Sequence, residues 1–202
     1  MSSIKDCICL CNICRKWWRM KLDQQKIKST LGKTSADDEG NQVLQSDEAV
    51  YDFDEITNEA AVVYRNKKAL ASCDALYIKN EKEFFLFVFK NVRQSRISWK
   101  QLYSKAYDSV WTLQTIFFPD LSINEMKERL TMLVIYNDDG VVEKEQDSPA
   151  FEALKSKMKQ LAANQEQILF DLDIFKGFLY KDILTVEKDI YTKKYHRQIF
   201  SN

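Results

Sequence analysis

Asp74 and Lys90 are the residues whose types and placement could do chemistry. Asp74 is a carboxylate near the head of Cys73-Asp74-Ala75-Leu76-Tyr77-Ile78, and Lys90 is an ammonium closing Phe84-Phe85-Leu86-Phe87-Val88-Phe89. At one edge of a sheet such a carboxylate and ammonium could meet; with no chemical task they form a salt bridge or two solvated strand ends. Asp108, in Tyr107-Asp108-Ser109, is a second carboxylate that could converge on them, or it could pair with Lys105 three positions earlier on a helix. Glu59 is the nearest acid upstream of the first hairpin strand. Cys7, Cys9, Cys11 and Cys14 match tetrahedral Zn²⁺ in number but not in spacing, because Cys-x-Cys pairs belong to cluster-type sites. They read as incidental cysteines of a tail, and with Cys73 the odd count of five gives no disulfide framework. His196 is the sole histidine, set in Lys193-Lys194-Tyr195-His196-Arg197 like the basic last turn of a helix. Neither GxxxxGK[ST] nor GxGxxG occurs, so the usual phosphate-cradling loops are absent.

The elements that must position these groups follow from hydrophobic pattern. Ala61-Val62-Val63-Tyr64, Cys73–Ile78 and Glu83–Asn91 read as three strands, the last two joined by a short polar turn into an antiparallel hairpin. The near-continuous apolar run of the last strand requires cover on both faces and therefore a central place in the sheet. Ser98 is a candidate N-cap for a helix carrying Leu102, Ala106, Val110, Leu113 and Phe117 and stopped by Pro119. Leu130–Tyr136 reads as another buried strand, a polar helix is expected after Ser148-Pro149, and the aromatic-rich remainder should end in a helix from about Leu184. This order predicts an α/β (α+β) fold with one central mixed β-sheet flanked by helices.

The chain of 202 residues carries 30 basic and 30 acidic residues, so it has no net field for broad phosphate neutralisation. Charge is instead segregated. Residues 1–28 hold seven Lys or Arg against two Asp, a local +5 with the Trp17-Trp18 pair, while Ala36–Tyr64 holds nine acids and no base. Ser29–Ser46 has linker composition, which sets a boundary between a basic Cys/Trp-containing N-terminal segment with its linker (1–46) and a folded domain (47–202). No run of 18 apolar residues and no cleavable leader pattern occurs, so no transmembrane segment is expected and a cytoplasmic location is the expectation.

In Cys73-Asp74-Ala75-Leu76-Tyr77-Ile78 followed by Phe85-Leu86-Phe87-Val88-Phe89-Lys90-Asn91, the chain resembles the PD-(D/E)XK nuclease-like superfamily. Leu102-Tyr103, Lys105, Tyr107-Asp108-Ser109 and Met132–Asn137 extend the resemblance to small bacterial proteins of that fold, over roughly residues 61–200. It implies a restriction-endonuclease-like core, with Asp74 and other carboxylates holding Mg²⁺ or Mn²⁺ and Lys90 beside the scissile phosphate. The family's second acid stands two residues before the lysine, and here that position is Val88. Valine cannot replace a hard anionic ligand, so a metal would have to be held by Asp74, Glu59 and Asp108.

The expectation is therefore a catalytically impaired nuclease-fold protein, with no cofactor, that binds a protein partner. An immunity or antitoxin-type protein facing a toxin, or an accessory component of a defence system or mobile element, would fit. Trp99, Tyr103, Tyr107 and Trp111 are the candidate partner-binding residues. The alternatives are an active Mg²⁺-dependent DNA endonuclease using Asp74, Lys90 and a migrated acid such as Asp108, and non-catalytic nucleic-acid binding through the basic N-terminal segment.

Overall fold

The computed structural model describes residues 27–63, 68–80, 82–138 and 168–201. Its centre is a six-stranded mixed sheet with the strands side by side in sequence order: β1 (Lys28–Thr30), β2 (Ala49–Asp52), β3 (Ala75–Lys79), β4 (Glu83–Lys90), β5 (Leu130–Tyr136) and β6 (Asp182–Glu187). The first four pair antiparallel, and β4, β5 and β6 run parallel. The expected hairpin is present as β3 and β4, with Ala75 opposite Phe87 and Lys79 opposite Glu83.

The near-continuous apolarity of β4 is explained by cover on both faces. Phe84, Leu86 and Val88 join a core with Leu102, Ala106 and Val110, whereas Phe87 and Phe89 join a second core with Val186, Tyr191 and Ile199. Side chains alternate across a strand, so a sheet covered twice must be apolar at every position. The first face is covered by α2 (Phe53–Val63) and α3 (Trp99–Thr112), the latter running on through a π turn to Phe117. The parallel step from β4 to β5 requires such a crossover. The short helix α4 (Ile123–Lys127), with a capping box between Ser122 and Glu125, then leads into β5. The second face is covered by α5 (Lys188–Ile190) and α6 (His196–Phe200), joined by a π turn over Tyr191–Tyr195.

Three sequence expectations are corrected. Ala61–Val63 is the last turn of α2, not a strand. The Asp52 side chain accepts from the Glu55 N–H at 3.0 Å and starts a helix whose Phe53, Ile56 and Ala60 face the core, and this periodicity outweighs the β-branched tail. Leu184 lies in β6, so the C-terminal helical run starts only after Glu187. Ser29–Ser46 is not a free linker: its first two residues lie in the edge strand β1, which pairs with β2, and α1 (Leu31–Thr34) follows directly. The Gly32 N–H donates to the Ser46 carbonyl at 2.9 Å, and the Ser35 hydroxyl accepts from Leu44 N–H and donates to the Gly32 carbonyl. The boundary at residue 46 thus falls inside a packed unit. The helix expected after Ser148-Pro149 and residues 1–26, with Cys7, Cys9, Cys11 and Cys14, lie outside the described residues.

A Cβ on Gly32 would come within 2.8 Å of the Ser46 carbonyl oxygen. Gly32→Ala should therefore cost about 1–3 kcal/mol by overpacking, read as a lower urea midpoint. An unchanged midpoint would mean that the Ser46 main chain gives way to the added methyl without cost.

Candidate functional site

The head of β3 gathers Asp74, Lys105, Asp108, Ser109, Asp54 and Ser72. Continuing the β3–β4 register places Asp74 beside Val88, and its main chain is fastened on both sides: Asp74 N–H donates to Phe87 O at 2.7 Å, and Asp74 O accepts from Phe53 N–H at 3.1 Å. Its carboxylate is divided between two donors. Oδ2 accepts from Phe89 N–H at 2.6 Å, and Oδ1 accepts from Lys105 Nζ of α3 at 2.5 Å. Burial, the largest influence, holds the Asp74 carboxyl above the ordinary carboxylate range against the opposing pull of Lys105 and Phe89 N–H. Burial also works against the Lys105 ammonium, but the Asp74 charge and hydrogen bond, aided by Asp54, outweigh it and leave Lys105 above its ordinary value.

Tyr107-Asp108-Ser109 has its explanation in the same place. Asp108 Oδ2 accepts from Ala71 N–H at 3.1 Å, and Ser109 Oγ accepts from Cys73 N–H at 2.8 Å. Alternate amides of the run entering β3 are thus held by consecutive side chains of α3, and Lys105 binds Asp74 one turn earlier on that helix. Asp108 does not pair with Lys105. The Cys73 thiol is fully buried and pushed up to about 12 by burial, which removes it as a nucleophile. Among acids of α2 it is Asp54, bonded to the Ser72 hydroxyl, whose charge acts on Asp74, Lys90 and Lys105. Glu59 stands half-buried five residues further along that helix.

Lys90 is half-buried at the end of β4 on the same face as Asp74 and Val88. Burial and then the Lys105 charge lower its pKa, with Asp74 and Asp54 opposing. Two residues absent from the sequence expectations share its row: Lys90 is in register with Tyr136 on β5, and Tyr136 with Glu187 on β6. The alternation that buries Val88, Val134 and Ile183 on the α2/α3 face turns all three toward it. Burial, followed by the charges of Asp138 and Glu187, pushes the Tyr136 phenol up to about 12. Glu187 Oε2 accepts from Asp189 N–H at 2.9 Å and caps α5. No pattern in one sequence announces this row, because it depends on strand register between segments nearly 100 residues apart.

Val88 is fully buried among Leu86, Leu102 and Val134. Among the described residues no three Asp, Glu, His or Cys side chains converge as a metal-binding group.

The outer side of α3 has the opposite character. Trp99, Tyr103, Tyr107 and Trp111 recur every four residues and form one slowly turning ridge. Trp99, Tyr107 and Trp111 are 48%, 52% and 64% exposed, while Tyr103 turns inward, stacks edge-on against Phe175 and donates to Asp171 O at 2.8 Å. Tyr107 also meets Phe175 edge-on, at 5.4 Å. At the far end Trp111 walls an apolar groove of about 330 Å³ between α2 and α3, with Ala60, Ala61, Leu70 and Thr115. His196 opens the final five-residue stretch, His196–Phe200, of the helical run that begins at Lys188, with Nε2 3.2 Å from the Ser46 hydroxyl.

No family model, curated protein or solved structure matches the chain. Among the described residues no helix is long and apolar enough to cross a membrane.

The pair is part-buried, with the Lys105 and Asp74 side chains 19% and 14% exposed, so Lys105→Met should cost about 2–3 kcal/mol in urea unfolding, less than a fully buried pair would. Adding Asp74→Asn should recover part of that loss, because a neutral side chain needs no counter-charge; a Lys105→Met cost below about 1 kcal/mol would show the pair to be solvated.

Val88→Glu should destabilise the domain by several kcal/mol without recovery in Mn²⁺, as expected for an acid placed in apolar core. A metal-dependent rise in melting midpoint for that variant would instead reveal a latent ligand set.

Titration supplies a third test. Lys105 and Tyr136, both with folded pKa values above their unfolded ones, contribute stability present below about pH 10 and lost as pH rises through the folded values. Lys90 has the opposite sign: its folded pKa is lowered, so stability increases as pH rises toward its unfolded value. The urea midpoint should fall above about pH 10, Tyr136→Phe should flatten that fall, and Lys90→Met should remove the gain preceding it.

Proposed function

We propose that this protein is a catalytically impaired, nuclease-like α/β protein that acts by binding a protein partner through the outer face of α3, in the manner of an immunity or antitoxin-type protein or an accessory component of a defence system or mobile element. The observation that carries the reading is the division of α3 between two tasks. Inward, Lys105, Asp108 and Ser109 bind Asp74 and the amides around it; outward, the helix leaves Trp99, Tyr107 and Trp111 in solvent. A carboxylate already shared between an ammonium and an amide is a poor metal ligand, and the position beside it is a buried valine. Large exposed aromatics are costly to leave in water and are the residue types that dominate binding energy at protein interfaces.

The test is a plasmid-nicking assay with Mg²⁺ or Mn²⁺, using Lys90→Ala as control. The expected outcome is no divalent-dependent cutting by the wild type. Cutting that Lys90→Ala abolishes would promote the endonuclease reading, with Asp74, Lys90 and Asp54 as its groups. The partner half of the reading is tested by co-expressing the product of a neighbouring gene. A complex that survives Lys90→Ala and is lost with Trp99→Ser and Trp111→Ser supports it.

A further inference from the structure

We propose that the groove between α2 and α3 is a binding site for a small uncharged aromatic molecule, which lies with its ring against Trp111 and accepts a hydrogen bond from the Thr112 hydroxyl. The site is separate from partner docking on the outer ridge and stands without it. Three observations point to it.

The first is a hydroxyl that the fold does not use. A threonine in a helix ordinarily returns its hydroxyl to the carbonyl four residues back. Thr57, on the α2 side of the groove, does so, donating to Phe53 O at 2.9 Å. Ser109, one turn before Thr112, accepts from Cys73 N–H at 2.8 Å. Thr112 is 3% exposed and lines the groove, yet among the described residues its hydroxyl has no hydrogen-bond partner. A hydroxyl buried to that degree is normally paired, and the open space that Thr112 meets is the groove.

The second is the chemistry of the lining. Its polar groups are the hydroxyls of Thr57, Thr112 and Thr115, set among Ala60, Ala61, Leu70, Trp111 and Ile116. The charges around it have both signs: Glu59 adjoins Ala60 in the chain, and Lys68 stands two residues before Leu70. Asp54, one turn before Thr57, is bonded to the Ser72 hydroxyl, and Arg93 and Arg96 precede the opposite end of α3. A carboxylate or an ammonium among the lining side chains would lose water without gaining a counter-ion, which selects a neutral occupant.

The third is size. An apolar cavity of about 150 Å³ holds one benzene, and this groove, at about 330 Å³, has room for a fused bicyclic ring. Trp111, 64% exposed, offers a ring face for offset stacking, which favours an aromatic body over an acyl chain. Thr115 and Ile116 reach the groove from the π turn Leu113–Phe117, a departure from α geometry of the kind that recurs at functional sites.

Four probes with one ring skeleton test the proposal against the full chain by calorimetry. Indanone is neutral with a carbonyl acceptor, indane lacks the acceptor, aminoindane is a cation, and indane carboxylate is an anion. Indanone should bind about tenfold more tightly than indane, the worth of one hydrogen bond, and the two ions should bind more weakly still. Thr112→Val keeps the shape and removes the hydroxyl. It should bring indanone down to the affinity of indane, leave indane binding as it was and leave the melting midpoint unchanged, because no protein group loses a partner. Ala61→Leu, which fills the groove from α2, should abolish indanone binding, and Trp111→Ser, at the exposed wall, should weaken it about tenfold with circular dichroism unchanged.

No binding of indanone, equal binding of the four probes, or tighter binding of either ion would overturn the proposal. So would an indanone affinity that is indifferent to Thr112→Val or to Trp111→Ser. A lower melting midpoint for Thr112→Val would overturn it as well, by showing that the hydroxyl serves the fold. Loss of partner binding with Trp99→Ser, or plasmid cleavage that depends on Lys90, bears on the reading of the outer ridge and leaves the indanone result as the measure of this site.

Discussion

The part-buried contact between Lys105 and Asp74 is the constraint on which the rest of this structure depends. Asp74 stands where β3 begins, at the point where the chain leaves the α2 layer and enters the sheet. A carboxylate there is tolerable only if its charge is answered, and an ammonium from α3 and an amide from β4 answer it together. One side chain thereby ties a helix and two strands into fixed register. Asp108 and Ser109 continue the same line along α3 to the amides of Ala71 and Cys73, so an irregular segment that would otherwise bury unpaired N–H groups is satisfied from one helix.

That arrangement also decides how α3 is oriented. With Lys105, Asp108 and Ser109 committed to the β3 entry, and Leu102, Ala106 and Val110 committed to the core, helical periodicity leaves Trp99, Tyr107 and Trp111 on the remaining face. The exposed aromatics are a geometric consequence of satisfying the inner face. A fold that needed only stability could have placed Ser, Lys or Glu there at no cost to its core. Their presence is the reason to look outward from this helix for a partner, while the polar groups inside it serve the fold.

The carboxyl edge of the parallel strands has a different balance. Lys90, Tyr136 and Glu187 form a row across three strands, each in a distinct electrostatic setting: an ammonium disfavoured by burial and a neighbouring lysine, a phenol kept neutral, and a carboxylate capping a helix. Open α/β sheets tend to place binding groups at the carboxyl ends of their strands, and the polar groups of this sheet collect there for the same reason: the strands end and helices begin, leaving donors and acceptors to be satisfied.

Much of this was legible in the sequence. The hairpin, the buried central strand, the helix after Ser98 and the strand Leu130–Tyr136 follow from local periodicity and turn residues, because alternation and 3.6-residue spacing are properties of contiguous chain. Asp74 and Lys90 stood out through the resemblance carried by their hairpin, and the α3 aromatics through residue type. What one sequence could not settle is what competes across distance. The β-branched run Ala61–Val63 became helix because core contacts of Phe53, Ile56 and Ala60 outweigh its propensity, and Lys28–Thr30 became the edge strand because β2 offered it a partner. The pairing of Lys105 with Asp74, in place of Asp108, and the alignment of Lys90 with Tyr136 and Glu187 were decided only by tertiary structure. Ion-pair choice and strand register depend on which distant side chains share a low-dielectric space, and that is a property of the packed chain.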